Sequence, residues 1–326
     1  ETAAPARTPW LIAAAFAVFS IGAGWMVSRT TTASEPRSMA IVRGGIGGKE
    51  TVLGPRYPGH LFAISPDGTK LAFVTADPTA SSGMSMAIRD LTSRRFQMIP
   101  GTDGAFSPFF SPDGTWIAFG ADGKLRKIRT DGTAAAVICD LPPLRGGVWL
   151  PDDQLIVSHQ SGPLLRVPAD GGEPVPITKL ENGEGRHRSP QIMRNSDVLL
   201  FVSTGSGTVS DLGLHAINLK TGVHKLLQNG AIFGRELPTG HVMFQKESTV
   251  YAARFDADSL ELTGTPVPLL DDIHWNATGG GILSVAEIGT LVYSLTGRPN
   301  TRLFRVRRGG VAEPYPFKTP GGGPQV

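Results

Sequence analysis

The stretches that decide the fold read FAISPDGTKLAF (Phe62–Phe73) and FFSPDGTWIAF (Phe109–Phe119). In both, a Ser-Pro-Asp-Gly turn separates two short runs that are rich in apolar residues. Proline fixes φ at about −65°, aspartate bonds the backbone of its own turn, and glycine adopts the positive φ that ends it. Each stretch therefore predicts a β-hairpin, with these turn residues: Ser65, Pro66, Asp67 and Gly68 in the first, and Ser111, Pro112, Asp113 and Gly114 in the second.

Weaker copies of this turn recur along the chain. These four copies contain Pro151 and Asp152, Ser196, Pro238 and Gly240, and Gly289. Six units of roughly 40 to 50 residues result, and the spacing of four short strands per unit is typical of propeller blades. We predict an all-β protein: a six-bladed β-propeller of four-stranded antiparallel blades over residues 51–316, in which Thr51–Pro55 supplies the outer strand of the last blade.

Composition excludes several other classes of protein. The 41 glycines and 26 prolines among 326 residues stay below the share typical of low-complexity chains. One cysteine, Cys139, allows neither an internal disulfide nor a cysteine-based zinc site. A net charge of +3 is too small for a nucleic-acid-binding surface, so we expect no nucleic-acid partner.

An uncharged apolar stretch near the N-terminus predicts a transmembrane helix. Trp10–Val27 reads WLIAAAFAVFSIGAGWMV, and as a helix it would be about 27 Å long, close to the thickness of a bilayer core. Trp10 and Trp25 lie near its two ends, where indole rings favour the membrane interface. A cleaved signal peptide ending near Ala33 is an open alternative. Both interpretations place the propeller outside the cytoplasm.

The resulting domain organisation has five parts. They are a cytoplasmic flank (1–9), the transmembrane helix (10–27), a juxtamembrane linker (28–50), the propeller (51–316) and a Gly/Pro-rich tail (317–326). We expect a single-pass protein of the inner membrane, with the propeller on the periplasmic or extracellular side.

The repeated S-P-D-G-T-x-x-A-F resembles the TolB-like, WD40-like β-propeller repeat. A narrower resemblance rests on Gly101–Phe119, Gly123–Ile128 and Leu164–Pro174, placed after an apolar span and a linker. This order is similar to the extracytoplasmic C-terminal part of bacterial membrane-anchored serine/threonine protein kinases. The resemblance implies a kinase domain upstream and a propeller that serves as its sensor. A periplasmic TolB-like scaffold and a propeller enzyme such as a lactonase remain alternatives.

The segment itself carries no recognisable catalytic motif. It has neither H-R-D nor D-F-G, and Gly44–Lys49 lacks the first glycine of a phosphate-binding loop. The seven histidines are scattered and form no H-E-x-x-H. We therefore expect no catalytic residue, no cofactor and no metal, and a protein or small ligand as partner of the propeller.

The best candidate for a ligand contact is the run Arg186, His187 and Arg188. It begins the first strand of the fourth unit, and first strands line the central channel in propellers. We predict contact with an anionic ligand there, with a solvated turn as the alternative.

Overall fold

The computed structural model describes residues 39–40, 60–91, 96–181, 183–194, 196–205, 212–273, 283–293, 304–306 and 312–314, with the backbone alone in the first and the last two ranges. Within these ranges the regular secondary structure consists of β-strands. The strands before residue 145 are β1 (Met39–Ala40), β2 (Phe62–Ile64), β3 (Lys70–Ala76), β4 (Met84–Asp90), β5 (Phe96–Met98), β6 (Phe106–Phe110), β7 (Trp116–Ala121), β8 (Lys124–Arg129) and β9 (Ala136–Asp140). Those of the middle are β10 (Gly146–Trp149), β11 (Gln154–Ser158), β12 (Leu165–Pro168), β13 (Val175–Pro176), β14 (Glu184–Ile192), β15 (Val198–Gly205), β16 (Gly213–Asn218) and β17 (His224–Asn229). The remaining strands are β18 (Ala231–Glu236), β19 (His241–Lys246), β20 (Thr249–Asp256), β21 (Glu261–Leu270), β22 (Leu283–Val285), β23 (Leu291–Tyr293), β24 (Phe304–Val306) and β25 (Ala312–Pro314).

Five antiparallel sheets of four consecutive strands make up most of the fold. They are β2–β5, β6–β9, β10–β13, β14–β17 and β18–β21. The first strands of neighbouring sheets lie beside one another, so each sheet is a blade with its first strand innermost. This arrangement confirms the predicted all-β propeller.

The prediction of six blades is wrong, because the described residues contain five four-stranded blades. The sixth unit contributes a two-stranded sheet, β22 and β23. The next strand, β24, pairs with β1 on one side and β25 on the other, with Met39 opposite Val306. Because both edges of β24 are occupied by these strands, it does not extend the hairpin into a four-stranded blade.

The hairpin β22–β23 lies between the fifth blade and the first. Leu283 and Leu291 belong to a buried cluster with Phe233 of β18. Val292 belongs to a second cluster with Phe62 of β2. Apolar contacts on both sides therefore join the two ends of the row of blades.

The blades are held together by apolar side chains packed between their faces. All eight residues of β15 are buried, as expected for a strand covered on both faces. Phe119 and Phe201 are each 1% exposed. Close approach of neighbouring blades depends on glycine, because a Cβ at Gly147 of β10 would lie 2.6 Å from Cε1 of Phe109 in β6.

The two strongest predicted turns have nearly the same geometry. Gly68 has φ of +70° and Gly114 has φ of +69°. Asp113 Oδ1 accepts hydrogen bonds from the hydroxyl of Ser111 at 2.5 Å and the backbone N–H of Thr115 at 3.0 Å. The weaker turn positions Gly240 and Gly289 also adopt positive φ, of +73° and +88°.

Several predicted segments lie outside the described residues. They are the flank 1–9, the transmembrane helix Trp10–Val27, the closing strand Thr51–Pro55 and the tail 317–326. Across the ranges that are described, the fold contains no helix with the length and apolar character needed to cross a membrane, so the transmembrane helix has no structural support and stays a prediction. Within the predicted linker, Met39 and Ala40 form β1.

Candidate functional site

The innermost strands surround a cavity of about 130 Å³. Every repeat unit contributes to its wall, through β2, β6, β10, β14, β18 and β22. Five aromatic side chains form part of the wall and are buried, namely Phe62, Phe109, Phe110, Trp149 and Phe233. The polar side chains on the wall are His60, Ser189, Gln191, Arg235, Ser284 and Glu287. Pockets for small ligands combine apolar side chains with convergent polar groups, and this wall carries both kinds.

Two of the inner strands are distorted by a Ser-Pro bulge. Ser107 in β6 and Ser189 in β14 have φ of +51° and +50°, and the register of both strands shifts at these points. Positive φ is strained for residues other than glycine, and bulges often re-aim side chains beside functional sites. The bulge in β14 lies at the cavity, where the Oγ atom of Ser189 is 3.3 Å from Nε2 of His60. A proline inside a strand is the sequence signal for this feature.

Three arginines gather where the inner strands of the third and fourth blades begin. Arg145 immediately precedes β10, and Arg186 and Arg188 are two residues apart on β14. Arg188 is only 4% exposed. Burial, together with the positive charges of Arg186 and Arg145, lowers its pKa to about 9. Burial, followed by the charge of Arg186, also lowers the pKa of Arg145. We call these three side chains the arginine cluster.

The arginine cluster has donors that nothing in the described part of the chain satisfies. The Nε and Nη1 atoms of Arg145 and the Nε atom of Arg188 are buried without a hydrogen-bond acceptor there. Ion pairs between described residues do not include any of the three arginines. Arg186 is held in place by described residues, because its Nε donates to Oγ1 of Thr204 at 2.9 Å and its Nη1 to the carbonyl of Gln160 at 3.3 Å.

His187 lies apart from the arginines between which it stands in sequence. Successive side chains of a strand point to opposite faces, which separates it from Arg186 and Arg188. Its Nδ1 atom is 2.8 Å from Oγ1 of Thr178, and its Nε2 atom is 3.0 Å from Oε2 of Glu184. The side chain has no exposed surface. The structure therefore brings together two of the three predicted contact residues and adds Arg145, which the sequence reasoning missed.

His187 belongs to a buried network in the fourth blade that the sequence did not reveal. Its partner Glu184 is on the same strand. The imidazole ring of His187 packs on the ring of Phe201. Phe201 also stacks on His215, at 5.4 Å between ring centroids. His215 bonds Ser203 through Nε2 and His224 through Nδ1, both at 2.8 Å.

Glu181 ends this network. Its Oε1 atom is 3.1 Å from Nδ1 of His224. Burial, followed by the nearby ring of His224, lowers the pKa of His215 to about 4. Burial also lowers the pKa of His187. In the described ranges, no group of three His, Cys, Asp or Glu side chains is arranged to hold a metal ion.

At the opposite ends of the inner strands, the arginines Arg194 and Arg235 lie close to the carboxylates of Glu236 and Glu287. The backbone N–H of Arg194 donates to Oε2 of Glu236 at 2.6 Å, and its Nη2 donates to the carbonyl of Glu287 at 3.3 Å. Burial lowers the pKa of Arg235 to about 10, although Glu287 and Glu236 oppose this effect. The arginine cluster has no such carboxylates among the described residues.

Comparisons with known proteins support the fold. No protein-family model and no curated protein matches the chain. A solved structure of a protein of unknown function from Desulfotomaculum acetoxidans is 13% identical, with a TM-score of 0.52 over 78% of this chain and 85% of that one. A TolB structure from Agrobacterium tumefaciens is 13% identical, with a TM-score of 0.50 over 71% of this chain and 87% of that one. A chain of the mitotic checkpoint complex is 12% identical, with a TM-score of 0.50 over 78% of this chain and 96% of that one. The chain has a β-propeller fold with TolB-like and WD40-like structural neighbours.

Proposed function

We propose that the propeller is a non-catalytic binding module whose partner or ligand contacts the inner strands. The observation that carries this proposal is the cavity lined by all six repeat units. A ligand at this place touches residues from every unit at once, so its binding free energy would stabilise the whole ring rather than one blade.

We propose further that this module is the sensor of a membrane-anchored serine/threonine protein kinase. The support is the order of apolar span, linker and propeller, together with the resemblance of Gly101–Phe119 and Leu164–Pro174 to that family. Binding on the outer side of the inner membrane would then bias the pairing of kinase domains on the cytoplasmic side.

A periplasmic TolB-like scaffold is the second candidate, and the TolB structure among the similar folds favours it. In that case the apolar N-terminal stretch is a signal peptide, and the partner is another protein of the cell envelope.

The coding sequence upstream of Glu1 separates the two candidates. A kinase domain with H-R-D and D-F-G supports the sensor, and its absence overturns it. A short basic start followed by cleavage near Ala33 supports the scaffold.

The binding role has a separate test by photo-crosslinking in cells. A crosslinking amino acid replaces Ser284 in the cavity wall, and a matched variant carries it at Val175, which is 58% exposed on the outer strand β13. We expect a specific adduct, detected by mass spectrometry, at Ser284 and none at Val175. Adducts that are equal at both positions would contradict binding through the inner strands.

A further inference from the structure

We propose that the arginine cluster is a binding site for a small dissolved anion that carries a phosphate or carboxylate group. This inference deepens the proposed binding function, on which it rests, by naming the chemistry of the ligand. It depends on three features: the mutual proximity of Arg145, Arg186 and Arg188, the burial of Arg188, and the buried donors of Arg145 and Arg188 that lack an acceptor among the described residues.

The arginine cluster concentrates positive charge at one place in the fold. The guanidinium groups of Arg186 and Arg145 are close enough to lower the pKa of Arg188, but its pKa of about 9 leaves it positively charged at neutral pH. Like charges repel strongly when water is excluded from between them. No described carboxylate pairs with the cluster. An anion would remove this repulsion, so the cluster favours an anionic ligand.

Several hydrogen-bond donors of the arginine cluster are buried. Native structures leave very few buried donors without an acceptor, and each such group calls for an explanation. Here the Nε and Nη1 atoms of Arg145 and the Nε atom of Arg188 have no acceptor among the described residues. Guanidinium groups match the geometry of carboxylate and phosphate oxygens, which accept two bonds in parallel. An oxyanion would satisfy donors from both side chains.

Part of the arginine cluster is held in position by other residues of the protein. Arg186 is already fixed by Thr204 and by the carbonyl of Gln160. The backbone carbonyl of Gly162 accepts a hydrogen bond from the N–H of His187, the next residue along β14, at 2.9 Å. A side chain that is held before binding loses less conformational entropy when the ligand arrives. This part of the site therefore exists before the ligand binds.

The burial of Arg188 limits the size of the ligand that can contact it. Arg188 is 4% exposed, so a flat surface such as a membrane or a nucleic-acid duplex would not reach its donors. A compact anion that inserts one charged group would reach these donors. None of the three arginines lies on the cavity wall, but Ser189, the next residue along β14, does and contacts His60. The backbone of β14 therefore connects the cluster to the cavity of the proposed binding module.

Isothermal titration of the full chain in neutral detergent tests this inference. The probes are inorganic phosphate, citrate and dihexanoyl phosphatidylglycerol, with chloride at equal ionic strength as the reference. The variants are Arg145→Gln, Arg186→Gln and Arg188→Gln, and the control is Arg254→Gln on the exposed part of β20. We expect phosphate or citrate to bind the unaltered protein, each cluster variant to bind at least about tenfold more weakly, and the control to be unchanged.

A second measurement separates a binding role from a structural one. Without an anion, Arg145→Gln should raise the Tm, because it removes an unpaired positive charge. With saturating phosphate or citrate, the unaltered protein should gain more in Tm than this variant gains. If Arg188→Gln fails to fold, the titration of the unaltered protein and of Arg145→Gln still decides the matter.

Three outcomes would overturn the inference. They are the absence of binding by phosphate and citrate at millimolar concentration, equal affinity in the cluster variants, and binding of the phospholipid alone. If anions fail to bind but the crosslink at Ser284 still captures a partner, the anion site is wrong and the proposed binding function stands.

Discussion

The Nδ1 atom of His215 lies 2.8 Å from the Nε2 atom of His224. In such a pair one imidazole must donate a proton and the other must accept it, so the hydrogen bond requires one ring nitrogen to be unprotonated. The other nitrogen of His215 is bonded to the hydroxyl of Ser203, and that of His224 faces Glu181. Protonation of both rings would replace the hydrogen bond by repulsion between two cations.

The first prediction is a loss of stability in mildly acidic solution. The pKa of His215 is about 4 in the folded protein against an ordinary value of 6.5. The unfolded chain therefore binds more protons between these two pH values, and the free energy of unfolding falls as the pH drops from about 6.5 to about 4. We expect His215 to account for about 3 kcal/mol of this loss. Denaturant unfolding followed by circular dichroism at pH 7.5, 6 and 4.5 measures it.

His215→Gln provides the comparison for this first prediction. The variant should be less stable at pH 7.5 but should lose less stability on acidification, because glutamine does not titrate. His241→Gln, at the start of β19 where the ring contacts Thr239, should keep the pH dependence of stability that the unaltered protein shows. An equally steep pH dependence in His215→Gln would contradict the prediction. His187 and Glu184 lie close to His215, so the variant keeps the part of the pH dependence that these two residues contribute.

The propeller was predictable because its signals are local. A proline, an aspartate and a glycine within four residues specify a turn, and the return of the turn every 40 to 50 residues indicates blades. The hairpin predicted at Phe109–Phe119 is formed by β6 and β7, with Phe109 opposite Ala118. The number of complete blades was not predictable in this way. It depends on β24 pairing with Met39–Ala40, which is more than 250 residues away in sequence.

The candidate site was only partly accessible to sequence reasoning. Arg186 and Arg188 are adjacent enough in sequence to attract notice, whereas Arg145 joins them from another blade. Likewise, His224 and Glu181 meet only because the segment before β14 folds against the fourth blade. Contacts between side chains of separate blades leave no periodic pattern in a single sequence. They can therefore be recognised only in the structure.

The second prediction concerns Phe201, whose ring fills the space between His187 and His215. It is 1% exposed, and its centroid is 4.5 Å from that of His187. Phe201→Ala removes this buried contact and leaves a cavity, so it should lower the free energy of unfolding by about 3 to 5 kcal/mol. Phe96→Ala, at a position that is 37% exposed, should cost much less. Denaturation midpoints of the two variants at pH 7.5 give the comparison, and similar losses would show that Phe201 is not a core residue.

The third prediction concerns the turn at Asp113. Its carboxylate accepts bonds from Ser111, from the backbone of Thr115 and from the Thr115 hydroxyl at 2.7 Å. Asp113→Ala removes all three hydrogen bonds, and we expect a loss of about 1 kcal/mol because the turn is exposed to water. Thermal unfolding measures this loss. Asp140→Ala removes an exposed ion pair with Lys124 and should change stability by less than about 0.5 kcal/mol. A larger effect at Asp140 than at Asp113 would contradict this account of the turn.

The fourth prediction concerns the contact between the second and third blades. A Cβ at Gly147 would lie 2.6 Å from Cε1 of Phe109, which is closer than two carbon atoms can approach without moving. Gly147→Ala should therefore push the Phe109 ring and destabilise the protein by about 1 to 3 kcal/mol. The double variant Gly147→Ala/Phe109→Leu should recover part of this loss, because a smaller side chain leaves room for the new methyl group. Strictly additive losses in a denaturant series of the four proteins would show that these two residues do not press against each other. Since both residues line the cavity, the single variant should also narrow the proposed binding site and weaken ligand binding there.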